Sequence, residues 1–199
     1  MNINIILFNK FETLDAFGPI EIWGRVNTKF TINLYSQKGG IIRSSQSVPV
    51  ITRPFEEIQS ENNILFIPGG KGTRELVKNR EYIKLLELFA KDSLYVITVC
   101  TGSVLFSKTG LLDGKRATSN KKAMNWAYLE APNVNWVKKA RWVKDGNIYT
   151  SSGISAGMDM ALGFISDLLG YEVAKRQSIE MEYDWKEDSN WDPFYDLYS

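Results

Sequence analysis

The chain contains no histidine among its 199 residues and only one cysteine, Cys100. The missing histidine excludes, within this chain, the Ser-His-Asp and Cys-His arrangements that activate many hydrolytic nucleophiles. It also excludes histidine-based zinc sites, and a single thiol offers no cysteine-rich alternative, so no metal site is expected. One cysteine cannot close an intrachain disulfide, so nothing here points to an oxidising compartment. Acid–base chemistry is left to carboxylates, the thiol, tyrosine, lysine, backbone amides and water.

An excess of charge of either sign is lacking too. The 24 Lys+Arg and 23 Asp+Glu leave a formal charge of +1, which gives no basic footprint for nucleic acid or an anionic membrane surface. No apolar run approaches the roughly 20 residues that a membrane span needs. Residues 1–8 (MNINIILF) are too short for a signal-peptide core, and no small-residue cleavage site follows. These absences lead to the expectation of a cytoplasmic protein with a small-molecule partner and neither a nucleic-acid nor a membrane partner.

What is present suits a packed core: 44% of residues are hydrophobic and 13% aromatic, in a length that fits a single domain, 1–199. There is no internal repeat, low-complexity tract or linker. Strands are expected at 3–8, 31–36, 64–67 and 94–99. A Gly39-Gly40 turn leads into a hairpin excursion at 41–43 and 48–52, and a second hairpin at 141–144 and 147–150 flanks Asp145-Gly146. Helices are expected over 17–27, 81–90 and 172–182. Another follows the face of Met158, Ala161, Leu162, Ile165 and Leu169, with Gly170 as its C-cap. From 183 the tail is aromatic and acidic. This order predicts an α/β flavodoxin-like sandwich: a mostly parallel central sheet, helices on both faces, and β-hairpin excursions.

The strongest chemical signal is Thr98-Val99-Cys100-Thr101-Gly102-Ser103, where a buried strand runs into small residues that can begin a helix. That is the layout of a nucleophile elbow, with Cys100 at the carboxyl edge of the sheet, where open α/β folds bind ligands. Amide dipoles at the helix start are expected to favour the thiolate. The plainer role for a lone cysteine is a small buried hydrophobe. Asp15 follows the first strand and can reach the same edge, where a neighbouring thiolate and burial would raise its pKa and let it carry a proton. Its plainer role is a helix N-cap, with Pro19 early in the helix. Glu21 is a second carboxylate, better suited to a solvated face. Pro68-Gly69-Gly70 ends a buried strand, so the Gly70 N–H can pair with that of Thr101 against developing negative charge, although the same tripeptide is an ordinary turn. The loop Ser151-Ser152-Gly153-Ile154-Ser155-Ala156-Gly157 either lines a pocket, through Gly153 and Ile154, or permits close helix packing. Trp126, Trp136, Trp142, Trp185 and Trp191 read as core or interface residues, with one or two tail tryptophans free to cap an apolar pocket.

Taken together, D-x-x-G-P at 15–19, I-P-G-G at 67–70, V-C-T-G at 99–102, G-L-L-D-G-K-R-A-T at 110–118 and S-G-I-S-A-G-M-D at 152–159 resemble the DJ-1/PfpI (ThiJ/PfpI) superfamily. Within it they are most similar to the isonitrile hydratase-like branch, from the first strand to about Glu182. The resemblance implies a flavodoxin-like fold, usually dimeric, with Cys100 as nucleophile in a strained elbow, Thr101 following it, and Asp15 as the acid. It implies hydration of an isonitrile to an N-substituted formamide, without a metal or organic cofactor. Two departures stand out. Relatives often carry A-T-T-H-W where this chain has Ala117-Thr118-Ser119-Asn120-Lys121, and peptidase and glyoxalase-like members place histidine where Thr101 stands. The tail from Asp184 to Pro193 also differs from the proline-rich ending of the hydratases. A glyoxalase- or amidase-like activity is disfavoured by the missing histidine. A redox-sensing stress protein with an oxidisable Cys100 draws on the same residues. A transcription sensor is disfavoured because no DNA-binding module accompanies the domain within these 199 residues.

Overall fold

A computed structural model describes residues 1–26, 28–58 and 61–198. Among these described residues, ten strands and seven α-helices follow in chain order. The first half comprises β1 (Asn2–Ile6), α1 (Thr13–Gly24), β2 (Thr31–Ser36), β3 (Lys38–Arg43), β4 (Pro49–Pro54), β5 (Asn63–Ile67), α2 (Thr73–Leu76) and α3 (Arg80–Lys91). The second comprises β6 (Tyr95–Val99), α4 (Gly102–Ser107), β7 (Arg116–Ala117), α5 (Met124–Glu130), β8 (Asn135–Trp136), β9 (Trp142–Asp145), β10 (Ile148–Ser151), α6 (Ala156–Leu169) and α7 (Tyr171–Glu180).

Eight strands form the central sheet in the order β3-β4-β2-β1-β5-β6-β10-β9. The interior pairs β2–β1, β1–β5, β5–β6 and β6–β10 are all parallel, with Ile5 opposite Leu34 and Phe66, and Thr98 opposite Ile67 and Thr150. Strands β5 and β6, at the centre, are almost wholly apolar and buried, as expected when helices cover both faces. Antiparallel pairing is confined to the outer hairpins β3–β4 and β9–β10. This is the mostly parallel, doubly wound α/β sheet expected from the alternation of patterns. The strand order reverses at β1, so the crevice beyond the carboxyl ends of β1 and β5 is the switch point where such sheets bind ligands.

Several boundaries differ from the sequence expectation. Helix α1 begins at Thr13 rather than 17 and ends at Gly24, which brings Asp15 into its first turn. Its start is held from outside: Gln46 Oε1 accepts the Thr13 N–H at 3.2 Å and the Thr13 hydroxyl at 2.6 Å. Gly39 and Gly40 lie inside β3 at φ 67° and 81° rather than in a turn before it. The short pieces α2, α5, β7 and β8 had no counterpart in the reading of the pattern. Gly170 does close α6, at φ 100°.

Candidate active site

Cys100 sits one residue beyond β6 with φ 57°, a left-handed conformation that costs a non-glycine residue energy and turns the chain sharply into α4. The tertiary structure holds it there from several sides. Its N–H is shared between the carbonyls of Ser151 and Ser152, both at 3.2 Å. Its own carbonyl accepts the Ser103 hydroxyl at 3.0 Å and the Ser119 hydroxyl at 2.9 Å. Gly102 completes the turn because a Cβ there would lie 2.3 Å from the Ile67 carbonyl oxygen. The cysteine is 7% exposed, so its thiol is nearly shielded from water.

Asp15 is fully buried, and its Oδ2 accepts the Gly69 N–H at 3.0 Å. Its side chain therefore reaches across to the end of β5 instead of capping its own helix. Burial, reinforced by the negative charge of Glu12, pushes the Asp15 pKa up to about 7; the bonds from Gly69 and the Cys100 thiol oppose this only in part. Oδ1 has no hydrogen-bond partner, the pattern of a carboxyl oxygen that carries or receives a proton. The Cys100 thiol is pushed well above its ordinary range, first by burial and second by the Asp15 charge. The Thr101 and Ile154 amides and the Asn120 side chain all bond the sulfur and pull the other way, without winning. The expected thiolate stabilisation at the helix start is thus present but outweighed. Two acidic groups this close share protons as one unit, and the resting pair holds at least one proton at neutral pH.

The glycines of Pro68-Gly69-Gly70 belong to this arrangement, though not as the spacing suggested. A Cβ on Gly69 would lie 2.6 Å from the Thr101 amide nitrogen and 2.8 Å from Asp15 Oδ2. The Gly70 N–H does not pair with that of Thr101 toward a common anion. It donates to Thr101 Oγ1 at 3.0 Å, and the same hydroxyl receives the Thr73 hydroxyl at 3.1 Å. Gly70 therefore anchors the Thr101 side chain, while the amides directed at the sulfur are those of Thr101 and Ile154.

Gly153 and Ile154 lie on the same side. Gly153 has no space for a side chain, because a Cβ would meet Asn120 Nδ2 at 2.2 Å. Ile154 has φ 39°, a genuine outlier for a β-branched residue, and this turn aims its N–H at Cys100. A cavity of about 410 Å³ opens here, lined by Asn120, Ser152, Gly153, Ile154, Phe194 and Tyr198, among others. Glu21, by contrast, is on the solvated face of α1, paired with Arg25 at 2.8 Å.

The sequence reading missed five contributors. Asn120 registered only as a departure from a motif, yet its amide bonds the thiol. Ser119 steadies the elbow carbonyl, and the Arg74 guanidinium, stacked 3.5 Å above the Trp126 ring, lies within electrostatic reach of Cys100. From the tail, the rings at the cavity are Phe194 and Tyr198 rather than a tryptophan; Trp185 is buried and Trp191 lies beside Arg141. None of these carries a local signal, since each is brought in by tertiary packing. Among the described residues, no group of three or more His, Cys, Asp or Glu side chains is arranged to hold a metal ion.

Comparison with known proteins identifies the family. Residues 1–167 match the model of the DJ-1/PfpI family. Isonitrile hydratase from Pseudomonas putida is 30% identical over 185 residues, covering 92% of this chain and 78% of that protein. The HTH-type transcriptional regulator CdhR of Pseudomonas aeruginosa is 27% identical over 176 residues, covering 86% of this chain but only 51% of the regulator. Among solved structures, a ThiJ/PfpI family protein from Pseudomonas syringae superimposes with a TM-score of 0.83 at 25% identity, over 92% of this chain and 75% of that one. Drosophila melanogaster DJ-1beta, at 20% identity, shares the fold with a TM-score of 0.81, over 92% of this chain and 98% of its own. The chain that carries this elbow cysteine and buried carboxylate therefore belongs to the DJ-1/PfpI family.

Proposed function

We propose that this protein is a cofactor-free, cysteine-dependent hydratase of small isonitriles, with Cys100 as nucleophile and Asp15 as its proton partner. The observation that carries the reading is the buried Cys100–Asp15 pair, in which a carboxyl group with its pKa raised to about 7 lies beside the thiol. Such a carboxyl does the work that histidine does elsewhere, because it accepts and returns a proton near neutral pH. The similarity to isonitrile hydratase supports the choice of substrate class.

In this mechanism the Asp15 carboxylate takes the thiol proton as Sγ bonds the isonitrile carbon, then delivers it to that carbon to give a thioimidate. Water adds to the same carbon while Asp15 passes a water proton to the nitrogen. The tetrahedral adduct collapses by breaking the C–S bond, the hydroxyl proton returning to sulfur, and an N-substituted formamide leaves. One water is consumed, and no electrons enter or leave. Thr101 and Ile154 N–H and the Asn120 amide orient the sulfur. The buried thiol, with its pKa raised rather than lowered, weighs against a freely oxidisable redox sensor, which needs an exposed thiolate.

The test is formamide release from cyclohexyl isocyanide by the purified chain. Cys100→Ala is expected to abolish turnover and Asp15→Asn to lower it at least 100-fold. Hydration retained in purified Cys100→Ala rules out covalent catalysis by the thiol.

A further inference from the structure

Ile154 is strained at φ 39° and, at 39% exposed, only partly packed, yet its N–H is aimed at the Cys100 sulfur. Such a conformation persists only where its surroundings over-determine it. We propose that Arg141, the residue before β9, is a positioning residue that clamps residues 152–155 from both ends and so holds the Ile154 N–H on the sulfur. The proposal rests on Cys100 being the nucleophile and goes beyond it by naming what keeps that amide in place.

Two bonds make the clamp. The Arg141 carbonyl accepts the Ser152 N–H at 2.8 Å, and the Ser152 carbonyl in turn shares the Cys100 N–H. At the other end, Arg141 Nη2 donates to Ser155 Oγ at 3.2 Å. Gly153 and Ile154 lie between, and Gly153 already abuts Asn120. Ser155 stands just before α6, but its hydroxyl makes no cap bond to that helix, so its contact with Arg141 is not helix capping.

The guanidinium can hold the loop because it is itself fixed. Its Nε donates to Asp159 Oδ2 at 2.5 Å, in an ion pair whose side chains are 6% and 0% exposed. Asp159 is held in turn by the chain after α7. Its Oδ1 accepts the Tyr183 hydroxyl at 3.1 Å and the Lys186 N–H at 2.9 Å, and its carbonyl accepts the Trp185 indole N–H at 3.1 Å. The Arg141 N–H donates to the Ser189 carbonyl at 2.7 Å. The neighbouring charges Lys121 and Asp192 pair with each other at 3.1 Å. A planar, forked guanidinium can serve Asp159 and Ser155 at once, which a lysine ammonium on its flexible stem does poorly. The strain at Ile154 is thus met by a buried pair that α6 and the segment 183–189 keep in place.

The test uses the full chain with Arg141→Lys, which keeps a charge opposite Asp159, and Ser155→Ala, which removes the outer bond at an exposed residue. The rate of Cys100 alkylation by iodoacetamide is measured at pH 8. Losing the Ile154 amide removes a donor that favours the thiolate, so the rate should fall about fourfold in Arg141→Lys and about twofold in Ser155→Ala. Neither substitution alters Asp15 or Arg74, the charges that face the thiol. With cyclohexyl isocyanide, kcat should fall about tenfold in Arg141→Lys, with KM within about threefold of wild type. A purely structural role would lower the urea midpoint and leave alkylation at the wild-type rate or faster, since opening exposes the thiol. That result in folded Arg141→Lys, or in Ser155→Ala if the lysine variant does not fold, overturns the proposal. No alkylation of the wild type overturns the nucleophile assignment and the clamp with it. Slowed alkylation in a chain that does not turn over isonitriles refutes the hydratase reading and leaves the clamp standing.

Discussion

At the scale of single residues, the chemistry turns on where Asp15 keeps its proton. Its pKa is raised from 3.8 to about 7, mainly by burial. Between those values the folded chain holds a proton that the unfolded chain has released. Stability from this group is therefore greatest below pH 4 and declines as pH rises to 7, by something on the order of 4 kcal/mol in total. Asp15→Asn keeps an oxygen for the Gly69 N–H and removes the titration. Urea unfolding should show the variant gaining several kcal/mol relative to wild type between pH 4.5 and pH 8, while a pH-independent difference would refute the buried-proton account. The same substitution removes the charge that helps hold the thiol up, so the midpoint of Cys100 alkylation should move to lower pH even though turnover is lost. A midpoint near 8.5 in both proteins would instead describe an inert cysteine. Gly153→Ala would drive a Cβ into Asn120 Nδ2 and push the amide off the sulfur, and isonitrile turnover should fall about tenfold or more with the fold retained.

The secondary-structure elements were legible to different degrees. Strands β1, β5 and β6 read easily because a strand buried on both faces is a largely apolar run with few alternatives. Helix α1 was harder, because no side chain of its own caps it and its first turn is held by Gln46, a residue in the connection between β3 and β4. Pro19, expected early in the helix, lies further inside it, where it cannot donate to the Asp15 carbonyl. Pieces of two to seven residues, such as β7, β8 and α5, are too short for periodicity to show. The joint between β6 and α4 gives a sharp test. Gly102→Ala places a methyl against the backbone oxygens of Ile67 and Pro68, neither of which can rotate away. We expect a loss of roughly 3 kcal/mol or more in urea unfolding, in the range of severe overpacking, and a loss below 0.5 kcal/mol would show that the elbow is more pliant than its contacts imply.

For the molecule as a whole, the order of strands assembles the candidate site. Placing β1 between β2 and β5 brings the residues after β1, β5, β6 and β10 to one rim. Asp15, Gly69, Cys100 and Ile154, spread over 140 positions of sequence, meet there. On the opposite flank, Ile41 and Ile51 face each other across β3 and β4 and remain 66% and 78% exposed, an apolar pair that a self-contained surface would seldom leave open. We expect the 22.7 kDa chain to sediment as a homodimer and Ile51→Lys to weaken the association; a monomeric mass at micromolar concentration would overturn this.

What the sequence determined by itself follows from residue types and local patterns. The lack of histidine forces any proton carrier here to be something else, and the strand–cysteine–glycine run marks the turn. The alternation of apolar runs with helical periods implies the α/β layers, since each run must bury its faces. Only the tertiary structure decided how those parts are tuned. It committed the Gly70 amide to the Thr101 hydroxyl, turned the Asn120 amide toward the sulfur, and laid Phe194 and Tyr198 along the cavity. The physical reason is one of range: turn and strand preferences act over a few residues, whereas burial, and the pKa of a thiol or carboxyl with it, depends on everything that packs around the group. That is why Cys100 could be singled out from the sequence, while its raised pKa, and the burial of the carboxyl that answers it, became visible only in the fold.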